Sequence, residues 1–283
     1  MRRLAFSIVL IAILVSADRL PAHATPEGRP PPIASNGSGQ IERLLDRIGF
    51  DALLEQTQSR AMSQFLDPSV SMDEDVPALA RGVLRAAFSP QRVRPIAVAA
   101  LLRRLESQHV DTSLAFLESS AAPMVISSSS FSLLASSGPS EAFPATSDHA
   151  ITAAHEREAL IERILDLGRI RTVALDRSLA VTVSMWKGAN DRLPPWKRLS
   201  RDHLHAVLRQ QREHAELALT TEVIPALRRV PVHELDACAS FLASEAGRSL
   251  TVAINEVVIE SLSVASREAG AGLVDAFRKR DRQ

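Results

Sequence analysis

The chain lacks most of the residues that build β-sheet cores and cross-links. It has no tyrosine, and 4% of its residues are aromatic. Runs of alternating β-branched residues between hairpin turn signals are also missing. Its one cysteine, Cys238, cannot close a disulfide within the chain. The composition therefore favours an all-α fold that is stabilised by its hydrophobic core alone.

The chain also lacks an excess of charge of either sign. Its 33 basic residues balance 33 acidic ones, and 30 of the basic residues are arginine. Domains that bind nucleic acid usually carry a basic patch and a high isoelectric point. Nucleic acid is therefore not an expected partner, and we attribute the arginine bias to genome composition rather than to phosphate recognition.

A short apolar run at the N-terminus has the layout of a secretory signal. Residues 4–15 are apolar, follow Arg2-Arg3 and precede Ala22-His23-Ala24, a small-x-small cleavage pattern. The run has about a dozen residues, whereas a membrane-spanning helix needs about 20. Residues 1–24 are therefore predicted to be a signal peptide that is cleaved after Ala24. A retained signal anchor is the alternative, which Asp18 disfavours.

The predicted cleavage defines the expected compartment and the start of the mature chain. The mature chain is expected in the periplasm or outside the cell, with no transmembrane segment after cleavage. Residues 25–39 are rich in proline and glycine and are expected to form a disordered leader.

Parts of the sequence occur twice. Three blocks recur in the same order, at offsets of 120, 124 and 125 residues: 41–46 with 161–166, 83–85 with 207–209, and 102–119 with 227–244. The longest pair matches Phe116 with Phe241. Blocks in one order with slowly rising offsets indicate that a helical unit has been duplicated.

The repeat predicts a helical bundle built from two related units. The first unit is assigned to residues 40–135, the linker to 136–149 and the second unit to 150–283. Apolar residues recur at helical spacing through both units. One long helix is predicted over 201–229, with Pro231 at the first position of the next helix.

Residues 231–247 carry a pattern of their own. An acidic residue and a leucine come first, a phenylalanine follows, and a serine and a glycine close the pattern: Glu234, Leu235, Phe241, Ser244 and Gly247. This pattern resembles the signature of an exported bacterial family, domain of unknown function 2059. That family usually has an aromatic residue and a proline where this chain has Leu242 and Glu245.

A more degenerate copy of the pattern lies near residues 106–122. The resemblance implies a small helical bundle in the periplasm and no established activity. The pattern also has a structural interpretation, in which Glu234 favours the helix dipole, Phe241 fills a buried face and Gly247 permits a close approach or a bend. We favour the structural interpretation over an active site.

The sequence contains no strong catalytic or metal-binding pattern. The densest histidine cluster is His203 and His205, and residues i and i+2 of a helix point roughly 200° apart, so the two cannot share one ion. The HExxH and G-x-S-x-G patterns do not occur. Cys238 lies in phase with Leu235 and Leu242, as a buried hydrophobic residue would. We therefore expect no metal site, no cofactor and no catalytic residue.

Two arginine pairs recur at corresponding places in the two units: Arg103 and Arg104, and Arg228 and Arg229. At the C-terminal end of a helix, the positive charges of these arginines interact favourably with the negative end of the helix dipole. The arginines can also form ion pairs there with Asp111 and Asp236. The alternative is a pair of anion sites for a phospholipid head group or a carboxylate.

Two tryptophans, Trp186 and Trp196, flank the connection at Pro194-Pro195. They either plug one end of the bundle or form an exposed apolar edge that grips a partner. Both interpretations stay open at the level of the sequence.

The function that the sequence favours is an exported helical binding or interaction module without catalytic activity. A protein partner or a hydrophobic ligand is expected to dock in the cleft between the units or at the tryptophan edge. The first alternative is a carrier of lipid or another hydrophobic ligand, held between helices. The second is an unrecognised hydrolase.

Overall fold

A computed structural model describes residues 35–65, 75–119 and 148–280. Nearly all of these residues are helical, and none of them lies in a strand, which confirms the all-α fold class. The predicted signal peptide lies outside the described residues, as do most of the predicted leader and linker.

The described part of the first half consists of helices α1 to α5: Ser35–Arg47, Phe50–Phe65, Asp75–Ala87, Pro90–Arg104 and Ser107–Leu117. Helix α1 begins at Ser35, so the boundary placed at residue 40 falls inside it. Gly37 in its first turn lies against Leu102 of α4. This contact gives the glycine-containing start of α1 a packing partner.

The second half contains helices α6 to α11: Asp148–Leu167, Ile170–Arg192, Arg201–Ala218, Ile224–Arg228, Val232–Ala243 and Glu245–Arg280. A short 3₁₀ turn, Pro195–Lys197, lies between α7 and α8. Pro231 precedes α10 in an extended conformation, one position before its predicted place.

The single helix predicted over 201–229 is interrupted by a π-helical turn, Leu219–Val223, between α8 and α9. Pro225 explains the interruption, because it has no N–H to donate to the carbonyl of Thr221. Wider π-helical turns are one way in which a helix accommodates such a defect. Within the same turn, the hydroxyl of Thr221 donates a separate hydrogen bond to the carbonyl of Leu217, at 2.8 Å.

The two halves repeat the same pattern of helix contacts. Helix α1 packs on α2, α4 and α5, and α6 packs on α7, α9 and α10. Helix α2 packs on α3, and α7 packs on α8. The contacts agree with the repeat in the sequence, while the duplication itself stays a prediction.

The turns between α1 and α2 and between α6 and α7 also correspond. Gly49 and Arg169 occupy the left-handed region, with φ of 69° and 52°. The carbonyl of Gly49 accepts a hydrogen bond from the N–H of Leu53, and the carbonyl of Arg169 accepts one from the N–H of Val173, each at 3.0 Å. Both halves therefore reverse direction by the same backbone conformation at the same position.

Helix α11 joins the two halves. It is 36 residues long and contacts α3, α4 and α5 of the first half as well as α7 and α10 of the second. Its residues Leu250, Val257, Val258 and Leu262 belong to the same core as α1, α2, α4 and α5. The core of the first half is thus completed by a helix that the sequence places in the second.

Within the described residues, α11 is the helix long and apolar enough to cross a membrane. The central helix of a folded core meets the same criterion, and the buried residues of α11 recur along its whole length, from Ala246 to Phe277. In its most apolar stretch 44% of the helix is buried in the protein, so packing accounts for part of its apolar composition.

Glycines allow α7 and α11 to cross at close range. A Cβ atom at Gly188 of α7 would overlap the carbonyl group of Arg267 in α11, and one at Gly270 of α11 would overlap that of Met185 in α7. Because the obstacles are backbone atoms, a larger residue requires the helices to move apart. Asp191 and Arg267 add an ion pair of 2.6 Å beside the crossing.

Replacing either glycine at the crossing tests this constraint. We expect Gly188→Ala and Gly270→Ala to destabilise the protein by about 2 kcal/mol, a typical cost of overpacking a core. The measurement is urea unfolding followed by circular dichroism.

Gly82→Ala is the matched control, because Gly82 lies in the exposed part of α3 with open space where its Cβ would be. Alanine favours a helix over glycine by about 1 kcal/mol, so this variant should be unchanged or more stable. Equal effects at positions 82, 188 and 270 would contradict the close crossing.

Candidate functional site

The residues of the 231–247 pattern form the corner between α10 and α11. Glu234 lies in the first turn of α10, and Leu235 is buried in the core of the second half. Ser244 stands at the N-cap of α11, where its hydroxyl oxygen accepts a hydrogen bond from Gly247 N–H at 3.1 Å. A Cβ at Gly247 would overlap the backbone carbonyl of Phe241. These contacts of Leu235, Ser244 and Gly247 hold the corner.

Phe116 and Phe241, which correspond in the repeat, stack on each other. Their ring centroids are 3.9 Å apart and their planes differ by 6°. Both rings pack against the core that the first half shares with α11, and also against the hydrophobic core of the second half. Contact between corresponding residues is typical of a two-fold arrangement. The pair therefore joins the two halves where α5 meets α10.

The arginine pairs bind carboxylates other than Asp111 and Asp236. Arg104 contacts Glu256 at 3.1 Å and Glu260 at 2.7 Å, and Arg103 contacts Glu260 at 3.4 Å. Both glutamates lie on α11, so these contacts connect α4 to α11. The first arginine pair, Arg103 and Arg104, is therefore already engaged in ion pairs within the protein.

Arg228 forms a bidentate pair with Glu158 of α6, at 2.7 and 3.1 Å. This hydrogen bonding raises the pKa of Arg228 and lowers the pKa of Glu158. Arg229 is exposed beside it. Arg103, Arg104 and Arg228 therefore stabilise helix packing, and an anion would have to compete with their glutamates.

The two tryptophans differ in their surroundings. Trp186 is half-buried and packs on a hydrophobic cluster that residues of α3 form with the C-terminal ends of α7 and α11. Trp196 is 76% exposed on the 3₁₀ turn. Asn190 holds the end of this connection, because its amide exchanges two hydrogen bonds with the backbone of Leu199, at 2.8 and 3.3 Å. Trp186 thus plugs the bundle, and Trp196 stands in solvent.

The candidate nucleophile and metal ligands are dispersed. Cys238 is buried, and burial raises the pKa of its thiol to about 12, so it stays protonated at neutral pH. His205 and His233 are exposed on different helices. Among the residues that the structure describes, no three His, Cys, Asp or Glu side chains are grouped to hold a metal ion.

A cleft opens between the halves, where α2 faces α7 and α8. Its volume is about 90 Å³, and it is partly open to solvent. One face of α2 and one face of α7 form its walls, α8 contributes Gln211, and Leu262 of α11 lies at its base. Helices α2 and α7 are the corresponding second helices of the two halves. The cleft therefore lies between the two halves of the chain, and interfaces between parts of a fold often hold ligands.

The cleft is lined by a buried arginine. Arg177 of α7 is 8% exposed, and its Nη2 donates a hydrogen bond to Asn255 Oδ1 of α11 at 3.0 Å. Burial lowers the pKa of Arg177 to about 10 by disfavouring the charged form. The guanidinium is still protonated at neutral pH. The wall of the cleft therefore carries a desolvated positive charge in a fixed orientation.

Polar groups surround this charge. Ser178 Oγ donates to Gln211 Oε1 at 2.7 Å, which links α7 to α8 and leaves the amide nitrogen of Gln211 as a donor. Gln56 and Thr182 line the same cleft from α2 and α7. The arrangement offers several hydrogen-bond donors beside the guanidinium groups of Arg177 and Arg60, which suits an anionic or strongly polar ligand.

Arg177 and Gln211 were not predicted from the sequence. A usable signal was present, because Arg177 lies four residues from both Val173 and Val181 on the apolar face of α7. A charged residue in phase with an apolar stripe indicates a buried charge. The position of Gln211 opposite Ser178 depends on how α8 folds back on α7, which the sequence does not reveal.

The buried thiol gives a direct check on the core of the second half. We expect Cys238 to react with a thiol reagent at pH 8 at least about tenfold more slowly in the folded protein than in urea, because the thiolate is disfavoured by burial. Labelling followed by mass spectrometry measures both rates. Equal rates in folded and unfolded protein would contradict the buried position.

Comparison of the chain with protein-family models, curated proteins and solved structures finds no match. The resemblance of residues 231–247 to domain of unknown function 2059 therefore stays a prediction. The function has to be argued from the cleft and its residues.

Proposed function

We propose that the chain is an exported, non-catalytic binding module that holds a small polar ligand in the cleft between its halves. The observation that carries this proposal is the buried Arg177 on the wall of an open cleft. A buried charge costs free energy unless another group compensates it. Arg177 already makes contacts within the protein, among them the hydrogen bond to Asn255, and it lines solvent-accessible space in which a polar ligand can also contact it.

The cleft has a mixed lining, in which polar side chains lie beside apolar ones, and its small size argues against a lipid. Gln56, Thr182 and Gln211 face the same space as Arg177. A volume of about 90 Å³ is well below the roughly 300 Å³ at which pockets for drug-sized ligands begin. A lipid chain would need more room than this volume gives. These features support a binding module more than a carrier of lipid.

The position of the cleft supports a ligand that acts on both halves. Helix α2 belongs to the first half, and α7 and α8 belong to the second. A ligand that contacts both walls stabilises their relative position by its binding free energy. The module would then signal occupancy through the surface formed by the two halves.

Export is part of the same proposal and rests on the N-terminal sequence. Arg2-Arg3, the apolar residues 4–15 and the pattern ending at Ala24 support a cleaved signal peptide. The ligand would then be a small molecule of the periplasm or the medium. If the full chain is expressed in a bacterium and purified from the periplasm, we expect a mature protein that begins at Thr25. A retained N-terminus with membrane association would contradict the export of a cleaved protein.

Native mass spectrometry tests the binding function. The protein purified gently from the periplasm should carry additional mass that is lost on denaturation. Thr182→Phe, which fills the cleft from α7, should remove that mass. Thr112→Phe is the matched control, because Thr112 is exposed on α5, away from the cleft. It should leave the bound mass unchanged.

Two outcomes would contradict the proposed site. The first is a protein that carries no additional mass and gains none when it is incubated with a periplasmic small-molecule extract. The second is equal retention of bound mass in Thr182→Phe and Thr112→Phe, which would place the ligand outside the cleft.

A further inference from the structure

We propose that one end of the bundle is a docking surface for an anionic phospholipid bilayer. This basic end is formed by two segments: residues 191–202, which contain the connection between α7 and α8, and residues 275–280, the last residues of α11. An exposed tryptophan, a rigid connection and a concentration of positive charge support the proposal. The basic end is separate from the cleft and its ligand.

The two segments of the basic end lie against each other. Leu193 and Leu199 of the connection share a hydrophobic cluster with Phe277 of α11. The side chain of Arg278 donates a hydrogen bond to the carbonyl of Arg192 at the end of α7. The connection and the end of α11 therefore form one continuous surface.

The connection holds Trp196 in solvent. Trp196 is 76% exposed, which makes it the most exposed large hydrophobic residue in the part of the chain that the structure describes. Leu193 and Leu199, on either side of it, are only 4% and 7% exposed. Within the turn, the N–H of Lys197 donates to the carbonyl of Pro194 at 2.9 Å. Because the turn is anchored on both sides, little conformational entropy is lost when the indole enters a partner.

Positive charge is concentrated beside this tryptophan. Residues 191–202 and 275–280 together contain seven basic residues and three acidic ones. Arg198, Arg201 and Lys279 are exposed among the basic residues. The full chain, in contrast, has equal numbers of basic and acidic residues. The excess at this end is therefore a local feature, and it would turn this end of the molecule toward an anionic surface.

The acidic residues of the basic end do not cancel this excess. Asp191 pairs with Arg267 at 2.6 Å, and Asp275 pairs with Arg192 at 3.5 Å. Both carboxylates are thus matched by a cation of the protein. Helix α3 also begins at this end, at Asp75, and the basic residues still outnumber the acidic ones when Asp75 is included.

A bilayer suits these features better than an acidic protein does. Tryptophan favours the boundary between headgroups and acyl chains, where its ring is in an apolar layer and its N–H reaches water. Lysine and arginine can lay their aliphatic stems along that layer while their charges stay with the headgroups. Anionic lipids attract such basic residues. Protein interfaces, in contrast, are depleted of charged residues around their apolar centre.

Co-sedimentation with lipid vesicles tests the proposal. The protein, purified after expression of the full chain, is mixed with vesicles of phosphatidylcholine alone, or of equal parts of phosphatidylcholine and phosphatidylglycerol. We expect binding to the anionic vesicles to be at least about tenfold stronger, and to weaken when salt is added. In Trp186→Phe, Trp196 is the one remaining tryptophan. Its fluorescence should shift to shorter wavelengths when anionic vesicles are added.

Single substitutions assign the binding to the basic end. Arg198→Gln and Lys279→Gln should each weaken binding to anionic vesicles by about fivefold, because each removes a charge beside the headgroups. Trp196→Ala should weaken it by about tenfold, because it removes the large apolar side chain that enters the bilayer. All three side chains are exposed, so the fold does not depend on them.

Each kind of substitution has a matched control. Arg248→Gln removes an exposed arginine near the start of α11, roughly 45 Å along the helix from Arg278. Leu217→Ala removes a side chain that is 59% exposed, at the end of α8 away from the connection. Both variants should bind anionic vesicles as the unmodified protein does.

Several results would overturn the bilayer as partner. One is equal binding to neutral and anionic vesicles, or no binding to either. Another is equal affinity of the basic-end variants and their controls. Binding to soluble polyglutamate that is at least as tight as binding to anionic vesicles would identify an acidic protein as the partner instead. These measurements do not involve the cleft, so the binding function that Thr182→Phe tests stands or fails separately.

Discussion

The crossing of α7 and α11 is the constraint on which the rest of the structure depends. Gly188 and Gly270 let the two backbones approach more closely than any side chain at those positions would allow. Helix α11 also supplies one wall of the core that contains α1, α2, α4 and α5. The distance between α7 and α11 therefore sets the position of the whole first half relative to the second. Contacts at the surface, such as Asp191 with Arg267, add to a geometry that the glycines already determine.

The cleft is a consequence of that geometry. One side of α7 is held against α11 by the close approach at the glycines and by the hydrogen bond from Arg177 to Asn255. The adjacent side of α7 borders the cleft. Helix α2 forms the opposite wall because the first half packs on α11 and is joined to the second half by Phe116 and Phe241. The charge on Arg177 is thus placed in the cleft by the same helix that holds the two halves together. Structure and proposed function depend on one set of contacts.

Local features of the fold could be predicted from the sequence, and contacts between distant segments could not. The helical periodicity is a local signal, and the structure has turns at Gly49 and Gly168, where a glycine interrupts that periodicity. The role of α11 in the first half depends on packing over more than 150 residues of chain separation, as between Arg104 and Glu260. The partners of the arginine pairs were therefore not predictable. The cleft between the units and the tryptophan edge were alternative expected docking sites, and Arg177 was assigned to neither, although its phase with Val173 and Val181 is a signal of a buried charge.

Native-state hydrogen exchange tests most directly whether α11 makes the two halves one cooperative structure. Amides in the interior of α1 and α4 report on the first half, and those of α7 and α10 report on the second. If α11 completes both cores, the slowest amides in all four helices should exchange with one common free energy, that of global unfolding. A lower plateau for α1 and α4 than for α7 and α10 would show that the first half unfolds alone, and would contradict the shared core.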